Sequence, residues 1–235
     1  MKSAMVSSIG NTDTLSNTRV TQTENAVWIL CGEAPIEPRQ LLNPDGDEIW
    51  YIDTIDAFLK LESASEPPVQ ELIEAGIHHV SDLFIEELGE QDLDVAFFPS
   101  AMLSFVRFDL LTAEMEYFCL GDTVVMIEIE GSLHRVCAND NNTEKPMGAK
   151  WGLSFTPDAV DSARYGTLNL DDVSKVHLFN GAVDRAVAAQ DEHFSWENVL
   201  DKIATDGVQH LASTADFPTE EFVFTTVEFP SADVS

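Results

Sequence analysis

Phe118-Cys119-Leu120-Gly121-Asp122-Thr123-Val124-Val125-Met126-Ile127 decides how this chain is read. Two β-prone runs flank a Gly-Asp pair, which has the composition of a tight turn: glycine admits positive φ, and aspartate hydrogen-bonds its own backbone. Similar short runs lie on both sides, at Ala101–Phe108, Glu114–Leu120, Thr123–Ile129 and Ser132–Val136, with polar or glycine-containing turns between them. Glu130-Gly131 has the composition of a hairpin turn. Four consecutive short strands predict an antiparallel meander and speak against a parallel βαβ sheet.

Upstream, Ala26-Val27-Trp28-Ile29-Leu30-Cys31 is a continuous apolar run ending at Gly32, the pattern of a strand buried on both faces. A loop punctuated by Pro35, Pro38, Pro44 and Gly46 follows. Ile49, Ile52, Ile55 or Asp56, and Leu59 then fall at helical spacing. In a second helix, opened by Pro67-Pro68, an apolar stripe runs through Val69, Leu72, Ile73, Gly76, Ile77, Val80, Leu83 and Phe84, with Gly89 as the stop. Downstream, Pro157 to about Tyr165 reads as a short helix, and Val173–Phe179 as a strand closed by Asn180-Gly181. Ala182–Ala189 reads as helix, a further helix starts near Ser195 and runs through Val199 and Ile203, and Glu221–Phe229 is strongly β. Residues 1–18 read as a flexible leader or an edge strand, and 19–235 as one domain. The predicted class is α+β, a four-layer α-β-β-α sandwich in which two packed antiparallel sheets carry helices on their outer faces.

Against 12 basic residues stand 42 acidic ones, a formal net charge of −30. Such a surface repels nucleic acid and anionic membranes, so neither is an expected partner. The plain reading is a solvated acidic surface; the alternative is a decoy or inhibitor of a basic partner. The odd cysteine count (Cys31, Cys119, Cys137) forms no disulfide framework, and the polar Met1–Asn17 carries no apolar secretion core. No apolar run approaches bilayer length, so a cytoplasmic protein is expected.

In the order of these pieces the chain resembles the metal-dependent protein phosphatases of type 2C, in particular their bacterial members, from about Asn17 to Phe229. Pro99-Ser100-Ala101-Met102-Leu103 followed by Leu120-Gly121-Asp122-Thr123 resembles the family segment with a Gly-Asp-Ser turn. Val27–Gly32 and Lys175–Gly181 sit where the family has strands ending in Asp-Gly, and Glu220-Glu221 where it has an acidic pair before the closing strand. The resemblance implies two divalent ions, Mn²⁺ or Mg²⁺, held by carboxylates and activating water against a phosphoserine or phosphothreonine. Here the first Asp-Gly reads Cys31-Gly32 and the second Asn180-Gly181. The N-terminal acidic motif is best matched by Asn17-Thr18-Arg19, which puts the cation Arg19 where an anion belongs; Asp13 is the alternative match. Asp122 and Glu221 (or Glu220) keep a carboxylate. Asp206-Gly207 mimics the second Asp-Gly, but it follows a helical rather than a strand pattern, so Asn180 is preferred; Asp206 would restore one ligand if it held the position.

Losing two or three acidic ligands removes most of the affinity of a binuclear site, since the ions' charge is no longer compensated. No cofactor is therefore expected, with manganese or magnesium entering only if the site still works. Cys31 as a nucleophile would need a base, and none of the six histidines can be paired with it from sequence; a structural thiol is the preferred reading. His78-His79, being adjacent on a helix, point to different faces, and Cys119 and Cys137 lack zinc-ligand spacing. The expected function is a non-catalytic, phosphatase-like signalling module that binds a protein, a phosphoprotein or a kinase. A divergent serine/threonine phosphatase is the alternative.

Overall fold

The computed structural model describes residues 5–10, 17–38, 40–89, 95–136, 152–183, 196–206 and 223–229. Its strands are β1 (Met5–Gly10), β2 (Thr18–Gln22), β3 (Ala26–Glu33), β4 (Ser100–Asp109), β5 (Glu114–Leu120), β6 (Val124–Ile129), β7 (Ser132–Val136), β8 (Arg164–Asn169), β9 (Val173–Phe179) and β10 (Val223–Glu228). They form two antiparallel five-stranded sheets, one in the order β1-β10-β9-β6-β7 and the other β2-β3-β4-β5-β8. Among the described residues the helices are α1 (Asp47–Glu62), α2 (Val69–Leu88) and α3 (Trp196–Asp206), and residues 181–183 are helical as well.

β3 explains the layering. Ala26 to Leu30 are all fully buried, and successive side chains alternate between two cores. Val27 and Ile29 meet Val125, Val176 and Leu178 of the other sheet, in the core between the sheets. Trp28 and Leu30 meet Ile52, Ile55 and Ile77 of α1 and α2, in the core outside it. On the far side α3 lays Val199 and Ile203 against β6, β9 and β10, and Trp196 sits 5.0 Å from Phe179. The four-layer α-β-β-α sandwich is therefore the fold observed.

Buried carboxylates register the helices. Asp56 of α1 accepts from Thr21 Oγ1 (2.6 Å) and Trp28 Nε1 (2.9 Å) and pairs with Lys60 (2.5 Å), which pins the helix to β2 and β3. Asp47, at the start of α1, accepts from the backbone N–H groups of Leu41, Leu42 and Asn43, which orders the proline-rich loop before it. Arg107 of β4 pairs with Glu116 and donates to the carbonyls of Ser65 and Pro67 (both 2.7 Å). Glu116 in turn accepts from the first N–H of α2.

Two expectations need correction. The strands from Ala101 to Val136 are not one meander: β4 and β5 lie in one sheet, β6 and β7 in the other, and Gly121-Asp122 is the crossing between them. The span from Pro157 to about Tyr165 is not one short helix: Pro157–Ser162 is a 3₁₀ segment and Arg164 opens β8, which pairs along β5. β8 is polar and largely exposed, so no hydrophobic alternation betrays it. β2 was likewise missed, an edge strand whose apolar content is Val20 alone. Met5–Gly10 pairs with β10 as an edge strand. Of Ala182–Ala189, residues 184–189 lie outside the described residues. Among the described residues no helix is long and apolar enough to cross a membrane.

Candidate functional site

One edge of the sandwich gathers the end of β3, the start of β4, the β5–β6 crossing, the end of β9 and the start of β10. Strand alternation puts Cys31, two and four residues after Ile29 and Val27, on the inner face, where it is half-buried against the core between the sheets. Its cross-strand neighbours are Thr18 on β2 and Met102 on β4. Gly32 points the other way. A Cβ there would meet Ile52 Cγ2 at 3.1 Å and the Glu48 carbonyl at 3.2 Å, so this glycine lets the first turn of α1 lie on the strand.

Met102 leads to the crossing. Gly121 has φ 86°, and a Cβ on it would lie 2.5 Å from Met102 Cγ, so the thioether side chain covers the turn. The turn is tied down from below: Cys119 Sγ donates to the Thr123 carbonyl (3.0 Å) and Thr123 Oγ1 to the Leu120 carbonyl (3.2 Å), which accounts for the buried thiol. Beyond it, Asp122 lies against Gly181, where a Cβ would come within 2.1 Å of Oδ2. Asn180 is buried and bridges β9 to β10. Its N–H donates to the Val223 carbonyl and its Oδ1 accepts from the Val223 N–H, each at 3.2 Å. Cys31, Met102, Gly121, Asp122, Gly181 and Asn180 thus form a contiguous row across the opening between the sheets.

The structure brings Cys31, Asp122, Asn180 and Gly181 to this edge, and it turns Gly32 and Arg19 away from it. Arg19 faces α1, where its Nε donates to Asp53 Oδ1 at 2.6 Å; the β2 residue beside Cys31 is Thr18. Asp206 is the last residue of α3, whereas Asn180 directly follows β9. Asp13, Glu220 and Glu221 lie outside the described residues. Two neighbours went unnoticed as site residues. Met102 fills the centre of the row. Glu33 continues the Cys31 face and accepts from Ser100 Oγ at 3.3 Å. Period-two counting from Ile29 and from Ser104 would have found both.

Among the described residues this donor set suits a pair of hard divalent ions poorly. Such ions want several ionised oxygen ligands each. The row offers the Asp122 carboxylate, a soft thiol, a thioether, and an amide oxygen already engaged by Val223, with the Glu33 carboxylate beyond Cys31. Among the described residues no three His, Cys, Asp or Glu side chains lie close enough together to hold a metal ion.

No protein-family model matches the chain, and no curated protein matches it in sequence. Its fold is nevertheless that of the type 2C protein phosphatases, which it resembles over its whole length. The Mycobacterium tuberculosis serine/threonine phosphatase PstP/Ppp superposes with a TM-score of 0.63 at 10% identity, over 98% of this chain and 99% of that one. A PstP catalytic domain in complex with two manganese ions gives 0.62 at 13%, over 98% and 99% of the two chains. PppA, a regulatory component of the type VI secretion system in Pseudomonas aeruginosa, gives 0.60 at 11%, over 97% and 98%.

Proposed function

We propose that this chain is a non-catalytic, type 2C phosphatase-like module that binds a protein partner, either a phosphoprotein or the kinase of a signalling pair. It acts in the cytoplasm as a single domain over residues 19–235, joined by the N-terminal edge strand, and without a metal cofactor. The observation that carries this reading is the row Cys31–Met102–Asp122–Asn180, in which one carboxylate stands among a thiol, a thioether and an engaged amide. The fold supports a phosphatase ancestry; the described side chains at the opening argue against a binuclear centre.

Manganese-dependent turnover of a chromogenic phosphate ester by pure protein tests it. Turnover at background, no calorimetric Mn²⁺ binding and a melting temperature indifferent to chelator are expected. Robust activity that Asp122→Ala abolishes would overturn the proposal and establish the second reading, a divergent serine/threonine phosphatase using Asp122 with Glu221, Glu220 or Asp13. The net charge of −30 favours one further alternative, a decoy for a basic partner. Its mark is partner binding that weakens steeply with added salt.

A further inference from the structure

The outer face of the β6-β9-β10 sheet carries a recess, on a different face of the molecule from the row just described. Pair registers arrange its side chains as a lattice: Met126, His177 and Thr226 in one row, and Glu128, Lys175 and Glu228 in the next. Over these rows, beside α3, lies a cavity of about 450 Å³, within the usual range for a small-molecule site. His177 and Thr226 line its floor; Glu128, Glu197 and Asp201 supply carboxylates, and Leu200 an apolar wall.

His177 is the unusual group. It is only 6% exposed, its Nδ1 is 2.9 Å from Thr226 Oγ1, and its ring stacks on Phe224 at 5.9 Å and 14°. Nε2 has no hydrogen-bond partner, yet it is not sealed in the core, since Ser104 Oγ is the fully enclosed side-chain polar atom left unpaired among the described residues. His177 is itself one of the residues lining the cavity. Burial, and secondarily the Lys175 charge, push its pKa down to about 4, so the ring is neutral near pH 7. In the tautomer that donates Nδ1–H to Thr226 Oγ1, Nε2 presents a lone pair.

With Glu128, Glu197, Asp201 and Glu228 in it, the lining is rich in acceptors. Among the described lining residues Lys175 alone is cationic, and it is paired with Glu228 at 3.2 Å. A metal ion is a poor match, because no three suitable ligands among the described residues cluster there. We propose that this cavity binds an alkyl guanidinium or alkyl ammonium group. The cation's N–H donors meet His177 Nε2 and the Glu128 and Asp201 carboxylates, while its hydrocarbon stem lies along Leu200 and Phe224. That chemistry can come from a free small amine or from an arginine side chain on a partner.

The test titrates full-length protein at near-physiological salt with butylguanidinium, 1,4-diaminobutane and the uncharged butylurea. The readout is long-range ¹H–¹⁵N NMR of the histidine rings. Expected is saturable one-to-one binding of a cationic probe that shifts the His177 Nε2 resonance, with butylurea silent. Glu128→Gln with Asp201→Asn should weaken it at least about tenfold. The same charge change at the exposed Glu86→Gln with Glu87→Gln should weaken it less than about twofold. Equal loss in the two double variants, or binding that leaves the His177 resonance unmoved, would reduce the effect to counterion attraction by a highly acidic surface and overturn the proposal. Silence with every probe would do the same for free amines and guanidines. An arginine-containing peptide that shifts His177 where the small probes fail would assign the site to a partner's side chain.

Discussion

At the scale of single residues, two glycines and a histidine set sharp expectations. Gly121 combines φ 86° with Met102 Cγ at 2.5 Å from where a Cβ would sit. Gly121→Ala should therefore cost about 2–4 kcal/mol in urea unfolding, from left-handed strain plus overpacking. Adding Met102→Ala should recover the overpacking part and leave the strain, which a double-mutant cycle resolves. Gly181→Ala drives a methyl into Asp122 and should cost about 1–3 kcal/mol; a neutral result would mean that Asp122 is free to swing away from the edge. His177 makes a statement about pH. Its folded pKa, pushed down to about 4 from an ordinary 6.5, means that the unfolded chain binds more protons between those values. The group subtracts nothing above pH 6.5 and about 3 kcal/mol once the pH has fallen to 4. Comparison with His177→Gln cancels the carboxylates common to both proteins, so wild type should lose about that much stability relative to the variant between pH 7 and pH 4.

At the scale of elements, the buried carboxylates do more than the surface charges. Asp56→Ala would strand Trp28 Nε1 and Thr21 Oγ1 without their acceptor in the α1–sheet layer. A loss of about 3 kcal/mol is expected in chemical denaturation, with hydrogen-exchange protection falling first in α1. Exposed pairs such as Lys175–Glu228, with both side chains about 40% accessible, should give less than about 1 kcal/mol when broken. Legibility followed the same divide. β3 and α2 could be read because their burial imposes a periodic apolar pattern, continuous in Ala26–Leu30 and at helical spacing from Val69 to Phe84. β8 could not, because it gains its structure from hydrogen bonds to β5 and from Tyr165 stacked on Phe118, neither of which leaves a periodic mark. The candidate site was half legible. The positions of Cys31, Asp122 and Asn180 follow from strand ends, but Arg19 was read by motif position alone, and the side of β2 that faces α1 claimed it for Asp53.

At the scale of the whole molecule, the charge of −30 destabilises the compact state by self-repulsion. Raising sodium chloride from about 0.05 M to about 0.5 M, which shortens the screening length from roughly 14 Å to roughly 4 Å, should raise the melting temperature by about 3 °C or more. A midpoint that stays level or falls would show that the acidic side chains are too dispersed to repel one another effectively.

By itself the sequence determined the class of the fold, the elements with a strong apolar period such as β3 and α2, and the absence of the expected acids at Cys31 and Asn180. Those are consequences of side-chain chemistry and period, which act locally. Only the tertiary structure decided that Gly121-Asp122 is a crossing between sheets rather than a hairpin within one, that Asp122 lies against Gly181 under the cover of Met102, and that Asn180 spends its amide on Val223. The turn chemistry of Gly-Asp is the same in either connection. Which sheet each flanking strand joins depends on partners distant in the chain, β4 for β5 and β9 for β6, and no local pattern carries that choice.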